Sequence, residues 1–211
     1  MKQFVLLSLL VIASALIFFS VKILSKLPDE KVKNFNQSLK FETDGNYKKA
    51  LEEMNKIYES NKKDYLVNLR TGWLHYLLGD YEKSKTYYRT ASEINPKSIE
   101  AKLGFAFPLW ELQDWDQLKN VYNDILSSDK FNYTANLRLG QIYLNAGDYA
   151  NAEKYLETVQ NRYPAEYEPN QSLGWTYYYL GKKEKSKELF TNVLMLSPGD
   201  TLALQGIGLV E

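Results

Sequence analysis

A 34-residue period runs from about Lys31 to Asp200 without one inserted or deleted residue. A chain with such a stride folds as a row of like units, each packed on its neighbours. The period is carried by Gly45-Asn46-Tyr47, Gly79-Asp80-Tyr81, Gln113-Asp114-Trp115, Gly147-Asp148-Tyr149 and Gly181-Lys182-Lys183. Units that begin at Lys31, Tyr65, Ile99, Tyr133 and Tyr167 bring further columns into line. The eighth residue reads Ser38, Gly72, Ala106, Gly140 and Gly174, and the twentieth Ala50, Ser84, Leu118, Ala152 and Ser186. Small residues at all five places of the first column and four of five in the second predict pairs of helices in close approach. Gly45, Gly79, Gly147 and Gly181 stand where a first helix ends and the chain reverses, and Pro96, Pro164 and Pro198 close three of the units. In the fourth unit Leu137, Gly140, Ile142, Tyr143 and Leu144 precede the turn, and Ala152, Tyr155, Leu156 and Val159 follow it at three- and four-residue spacing. Each unit therefore reads as a helix, a short turn and a second helix.

These residues resemble the tetratricopeptide repeat (TPR) family, whose pattern runs from a large residue through Leu-Gly, Tyr, a small residue and an aromatic to a closing Pro. Leu139-Gly140, Tyr143, Ala152 and Pro164 match in the fourth unit, Gly72, Tyr88, Ala91 and Pro96 in the second, and Leu173-Gly174, Tyr177, Phe190 and Pro198 in the fifth. The first and third units depart from the pattern, with Lys62 and Lys130 in the Pro position and Leu118 in place of the small residue. The resemblance implies an all-α, right-handed solenoid of helical hairpins with five repeats, at 31–64, 65–98, 99–132, 133–166 and 167–200, and a partial capping helix at 201–211. As a fold signal this is strong. As a function signal it is weak, because the family is a scaffold for many partners.

The N-terminus is a separate object. No charge occurs from Phe4 to Val21, and the run extends to Leu24 if Lys22 reaches back to the headgroups. Residues 1–24 read as a transmembrane anchor, with 25–30 as a short linker. The competing reading is a cleaved secretory signal, with Lys2 as the basic start and Ala13-Ser14-Ala15 as the cleavage site, which would make the repeats secreted. Against cleavage, the apolar run continues through Leu16-Ile17-Phe18-Phe19. Lys22, Lys26, Lys31 and Lys33 favour a cytoplasmic repeat domain by the positive-inside count, whereas a short Lys-bearing start ahead of the run is typical of export. The adopted expectation is extracytoplasmic, periplasmic or at the cell surface, with membrane contact through the N-terminal helix.

With 26 basic and 26 acidic side chains the chain has no net charge to draw in phosphate backbones, so no nucleic-acid partner is expected. The absence of cysteine removes disulfides and thiolate metal sites. His75 is the single histidine and falls in the column that holds Tyr143 and Tyr177, which in the resembling family packs between helices. No nucleophile and base pair, phosphate loop, metal site or cofactor is expected, and the chain reads as a non-catalytic scaffold. Carboxylates such as Glu52, Glu53 and Glu153 read as solvated charge.

In the resembling family the first helices line the concave face, at the second, fifth, ninth, twelfth and thirteenth places of each unit. The candidate groove residues taken from those places are Phe35; Leu69, Trp73 and Tyr76; Phe107 and Trp110; Gln141 and Asn145; and Gln171, Trp175, Tyr178 and Tyr179. Val32, Leu39, Leu66, Leu103, Leu137 and Leu144 fall in the same pattern. Such a surface suits a peptide or protein partner of a membrane-anchored adaptor, in a cell-envelope assembly or secretion complex by analogy. A glycan or lipid ligand is the alternative, and mutual packing of the aromatics is the structural one. The family's clamp for a terminal carboxylate has no counterpart at Phe35, Leu39, Leu69 and Trp73. Arg70 and Arg138 border the groove, where solvated arginines are the commoner outcome. Pro108, four residues after Gly104, predicts a kink or a broken turn in the third unit's first helix. The piece from Thr201 to Glu211 lacks a polar cap, which predicts end-to-end self-association.

Overall fold

The computed structural model describes residues 29–211, so the apolar run at 4–21 lies outside the described residues. Among those residues, no helix is long and apolar enough to cross a membrane. They form eleven α-helices and one 3-10 turn, with no strand. In chain order these are α1 (Glu30–Thr43), α2 (Tyr47–Tyr58), the 3-10 turn Glu59–Asn61, α3 (Tyr65–Leu77) and α4 (Tyr81–Ile94), followed by α5 (Ile99–Glu111) and α6 (Trp115–Ser128). Then come α7 (Tyr133–Asn145), α8 (Tyr149–Gln160), α9 (Tyr167–Tyr179), α10 (Lys183–Leu196) and α11 (Thr201–Val210). Odd-numbered helices up to α9 are the first helices of the five hairpins, and α11 occupies the first-helix place of a sixth.

Short polar side chains set where the helices begin. The carboxylate or carbonyl oxygens of Asp29, Asn46, Asp64, Asp114, Asn132, Asp148 and Asp200, and the hydroxyl of Ser98, each accept from a backbone N–H of the following first turn. Each such cap is worth about 1 kcal/mol. The caps also tie one unit to the next. Tyr65 Oη lies 2.7 Å from Ser98 Oγ, Tyr167 Oη donates to Asp200 at 2.6 Å, and Lys31 pairs with Asp64. In three units, then, the opening side chain grips the N-cap of the next.

Hairpin turns close with a left-handed residue. Gly45, Gly79, Gly147 and Gly181 have φ between 70° and 76°, and in the third unit Gln113 adopts φ 55° at the same place. The bonding is alike in both kinds: Gly79 N donates to Tyr76 O and Asp80 N to His75 O, as Gln113 N does to Trp110 O and Asp114 N to Leu109 O. Gln113 thus takes the conformation its unit needs without glycine's freedom from steric penalty.

The small-residue columns work as close-approach points. A Cβ on Gly72 would sit 3.0 Å from the Tyr88 ring and one on Gly174 2.9 Å from Phe190, while one on Gly140 would run into Leu156. Ser84 Oγ and Ser186 Oγ donate to the carbonyls of Gly72 and Gly174, both at 2.9 Å. Tyr88 also presses on Gly104 of the next unit, and Phe190 on Gly206. The core is therefore a strip running along the stack, with Met54, Leu74, Leu109, Leu139, Leu156 and Phe190 fully buried.

A column of asparagines at the fourth place of the unit locks the loops between hairpins. Asn68 Nδ2 donates to the carbonyls of Lys62 and Asp64, Asn136 Nδ2 to Lys130 and Asn132, and Asn170 Nδ2 to Pro164 and Glu166. These buried amides satisfy loop carbonyls that would otherwise be lost from water.

The broken turn expected at Pro108 does not occur: α5 is continuous from Ile99 to Glu111 with Pro108 inside it. The helix forgoes the bond to the Gly104 carbonyl. Buried Phe105, Ala106 and Leu109, packed with Tyr88, Leu118 and Tyr122, hold it together. Leu137, read as an inner-face residue, is instead in the core at 1% exposure, packed with Leu156 and Leu173.

Candidate partner-binding groove

Along the stack, first helices touch first helices, α3 with α5, α7 with α9 and α9 with α11. The solenoid is tightest on that side, which makes the first-helix face the inner one. All twelve candidate groove residues are partly or fully exposed there, with Phe107, Asn145 and Tyr179 the most open. The structure does not join them into one trough.

The N-terminal half holds a pocket of about 590 Å³ walled by Phe35, Leu66, Leu69, Trp73, Leu103 and Phe107. Tyr88 and Gly104 form its floor, and Arg70 and Glu100 also line it. A second pocket of about 480 Å³ shares Leu103 and Phe107 and continues over Tyr76, Trp110 and Arg138. Together they make an apolar trough across α1, α3, α5 and α7. Leu66 and Phe107, at 55% and 45% exposure, are its open apolar surface. In the C-terminal half, Asn145, Trp175 and Tyr179 line a separate pocket with Leu144 and Tyr149. Between the halves lies a polar bridge: Arg138 Nη1 donates to Gln141 Oε1 at 2.7 Å, and Gln141 Nε2 donates to Ser172 Oγ at 3.2 Å. Gln171 is turned to Tyr167 Oη, which accepts from its Nε2 at 2.7 Å, and Tyr178 packs edge-on against Trp175. Gln141, Gln171 and Tyr178 thus line none of these pockets.

The aromatics of the trough are fixed by one another. Trp73 stacks on Tyr76 with centroids 5.6 Å apart at 22°, and Phe107 lies against both at 6.2 and 5.5 Å. The Trp73 indole N–H donates to Glu42 Oε1 at 2.7 Å. Tyr76 Oη donates to Glu111 at 3.3 Å, and burial followed by the Glu111 charge raises the Tyr76 pKa. Buried Tyr122, beneath the second pocket, is pushed up to about 12 by desolvation.

Arg70 is not solvated as expected for a border arginine. It is 9% exposed, pairs through Nη1 with Glu42, donates from Nε to Ser38 Oγ at 3.0 Å, and lies 5.9 Å from the Phe35 ring. Glu42 therefore holds Arg70 and Trp73 at once and joins α1 to α3. Arg138 faces Glu168 at 3.5 Å and the Trp110 ring at 6.0 Å. Glu100 accepts from Tyr65 Oη at 3.0 Å and Glu111 from Tyr76, and among the described residues no cation pairs with either. The rim of the trough is accordingly acidic. Sequence reading passed over Glu42, Glu100 and Glu111, although they fall at the twelfth, second and thirteenth places of their units and so within the inner-face pattern. It followed the apolar and amide members of those columns, and the period does not show which carboxylate reaches across to a neighbouring helix.

His75 lies away from the trough, on the face of α3 that meets α4. It is buried, stacked on Tyr87 at 5.2 Å and 6°, with Nδ1 3.4 Å from Asp80 and no aligned acceptor. Burial lowers its pKa, a shift that the Asp80 charge opposes and nearby Lys83 reinforces. Glu153, read as solvated, is 20% exposed and paired with Lys182 in the hairpin turn of the next unit.

Family models described as tetratricopeptide repeat match residues 67–98, 134–165 and 167–200, the second, fourth and fifth units. The chain carries tetratricopeptide repeats in those units. No curated protein matches by sequence. Among solved structures, MamA (residue 41 to the end) from Desulfovibrio magneticus is similar at 18% identity and TM-score 0.73, over 82% of this chain and 98% of that one. A tetratricopeptide repeat protein from Parabacteroides merdae is similar at 17% identity and TM-score 0.76, over 86% of this chain and 72% of that one. YrrB, described as a TPR protein with an unusual peptide-binding site, is similar at 17% identity and TM-score 0.71, over 89% of this chain and 96% of that one. At these identities the likeness is one of fold.

Proposed function

We propose that the chain is a non-catalytic adaptor that holds an apolar segment of a protein partner in the trough over α1, α3, α5 and α7. The observation that carries this reading is a preorganised apolar surface, Leu66, Leu69, Trp73, Leu103 and Phe107, whose aromatic planes are already locked by Glu42 and by each other. Rigid aromatic surface gives contact area at low entropy cost. The uncompensated carboxylates of Glu100 and Glu111 at the rim favour a segment that carries a basic residue beside its apolar anchors. A peptide suits the trough better than a sugar, because the walls Phe35, Leu66, Leu69, Leu103 and Phe107 offer no hydrogen-bond partner to sugar hydroxyls. The peptide-binding site of YrrB, a protein of like fold, agrees with such a role.

The uncharged run from Phe4 to Val21 supports a placement at the membrane, and the short Lys-bearing start ahead of it supports extracytoplasmic repeats, with the partner part of an envelope assembly or secretion complex by analogy. The test is photocrosslinking in native membranes from Leu66, Phe107 and Tyr179, read by mass spectrometry. Capture of one protein from 66 and 107 that is lost on Trp73→Ala and competed by apolar basic peptides, not by soluble sugars, supports the adaptor. Capture from neither 66 nor 107 would reject the trough.

A further inference from the structure

The α11 helix buries one face, with Ala203, Gly206 and Val210 in the core and the Phe190 ring against Gly206. Its other side is open: Leu202, Leu204 and Leu209 are 48%, 53% and 45% exposed. Thr201 and Gln205 are the only polar side chains in the helix. A helix apolar around its circumference is normally covered on every side.

The complete units state what lies on the open face. At the eighth place Gly72, Gly140 and Gly174 receive Tyr88, Leu156 and Phe190, each sixteen residues on, from the second helix of the same hairpin. Gly208 is the next member of that column, and a Cβ there meets nothing within 4 Å. At the fourth place Asn68, Asn136 and Asn170 are buried and bonded to loop carbonyls, whereas the sixth unit has exposed Leu204. An apolar side chain has replaced the amide on the very face that the second helix covers elsewhere.

We propose that a second copy of this chain fills that place, α11 packing antiparallel on α11 across a two-fold axis with Leu204 seated on the partner's Gly208. Leu204 and Gly208 are four residues apart and share a face. A two-fold axis perpendicular to the helices sets them antiparallel and makes every contact twice. The symmetric pair therefore places each leucine on a glycine, the contact that Leu156 makes on Gly140 within the fourth unit. Two ten-residue helices bury less than a standard interface of roughly 1,600 Å², so the dimer dissociates on dilution.

The chain of residues 1–211 in detergent micelles tests this. It contains no cysteine, so protomers carrying Leu204→Cys and Gly208→Cys can be mixed and mildly oxidised. The mixed 204–208 disulfide is expected to exceed that of a Lys48→Cys control pair. Leu204→Glu, at an exposed position, is expected to leave the circular dichroism unchanged and abolish the dimer in sedimentation. Gly208→Ala gives opposite signs: Ala is the better helix former, so the melting midpoint of the dilute monomer rises, while the dimer weakens by about tenfold or more. A monomer at all concentrations, a dimer without the 204–208 disulfide, or a dimer indifferent to Gly208→Ala overturns the proposal.

Discussion

Replacing Gln113 with Gly removes the side chain from one left-handed backbone position and changes almost nothing else. Gln113 is exposed and holds φ 55°, and its N–H bonds Trp110 O at 3.0 Å as the turn glycines do to their own helices. A left-handed L-residue costs roughly 1–2 kcal/mol, which glycine avoids. Glycine loses more freedom on folding, which takes back about 0.5–1 kcal/mol. The net is a stabilisation of about 0.5–1 kcal/mol, or a rise in Tm of about 1–4 °C for a domain of this size. Gly79→Gln is the mirror experiment, because a Cβ at Gly79 meets nothing within 4 Å and only its φ of 76° resists the side chain. It should cost as much as Gln113→Gly gains. Urea titration with hydrogen exchange of α5 and α6 measures the first, and the same pair of methods on α3 and α4 the second, local exchange being the safer readout where a solenoid departs from two-state unfolding. If Gln113→Gly is neutral or harmful while Gly79→Gln is harmful, the claim that backbone conformation alone sets the cost is wrong.

Gly104→Ala drives a methyl into the Tyr88 ring and should destabilise by about 1–3 kcal/mol by denaturant titration. Glu42→Ala leaves Arg70 buried without its counterion and frees the Trp73 indole. With Glu42 itself 25% exposed, the loss should be about 1–3 kcal/mol, accompanied by a changed tryptophan emission spectrum. His75 gives the chain a pH dependence of known sign. Burial favours its neutral form against the opposing pull of Asp80, so the unfolded chain binds more protons, stability is complete above pH 6.5 and falls as the pH drops below it. It is the only histidine, so His75→Tyr, the residue at the matching place in α7 and α9, should remove the slope of urea midpoint between about pH 7.5 and 5.5; a slope that persists assigns it to other groups.

The repeat, its hairpins and its close-approach columns were legible in the sequence because each unit repeats the same local solution. Gly72, Gly140 and Gly174 had to be small for a reason that lies within a single hairpin, and the turn glycines announced a left-handed residue by type alone. Even the caps Asp64, Ser98 and Asp200 and the column Asn68, Asn136, Asn170 recur at the stride, and a reading of polar as well as small columns would have found them. The inner face was legible as a set of positions. What those positions do was not, because it depends on contacts between units that differ in sequence.

Only tertiary packing decided that Glu42 of α1 binds both Arg70 and Trp73 of α3, that Gln141 bridges to Ser172 and divides the inner face, and that Leu137 belongs to the core. It also decided that α5 would survive Pro108, since a lost backbone bond is local but the buried contacts of Phe105 and Leu109 are not. A period fixes what every unit shares, through backbone geometry and the helix repeat. The trough arises where the units differ, and those differences acquire meaning only when neighbouring helices bring them within a few ångströms.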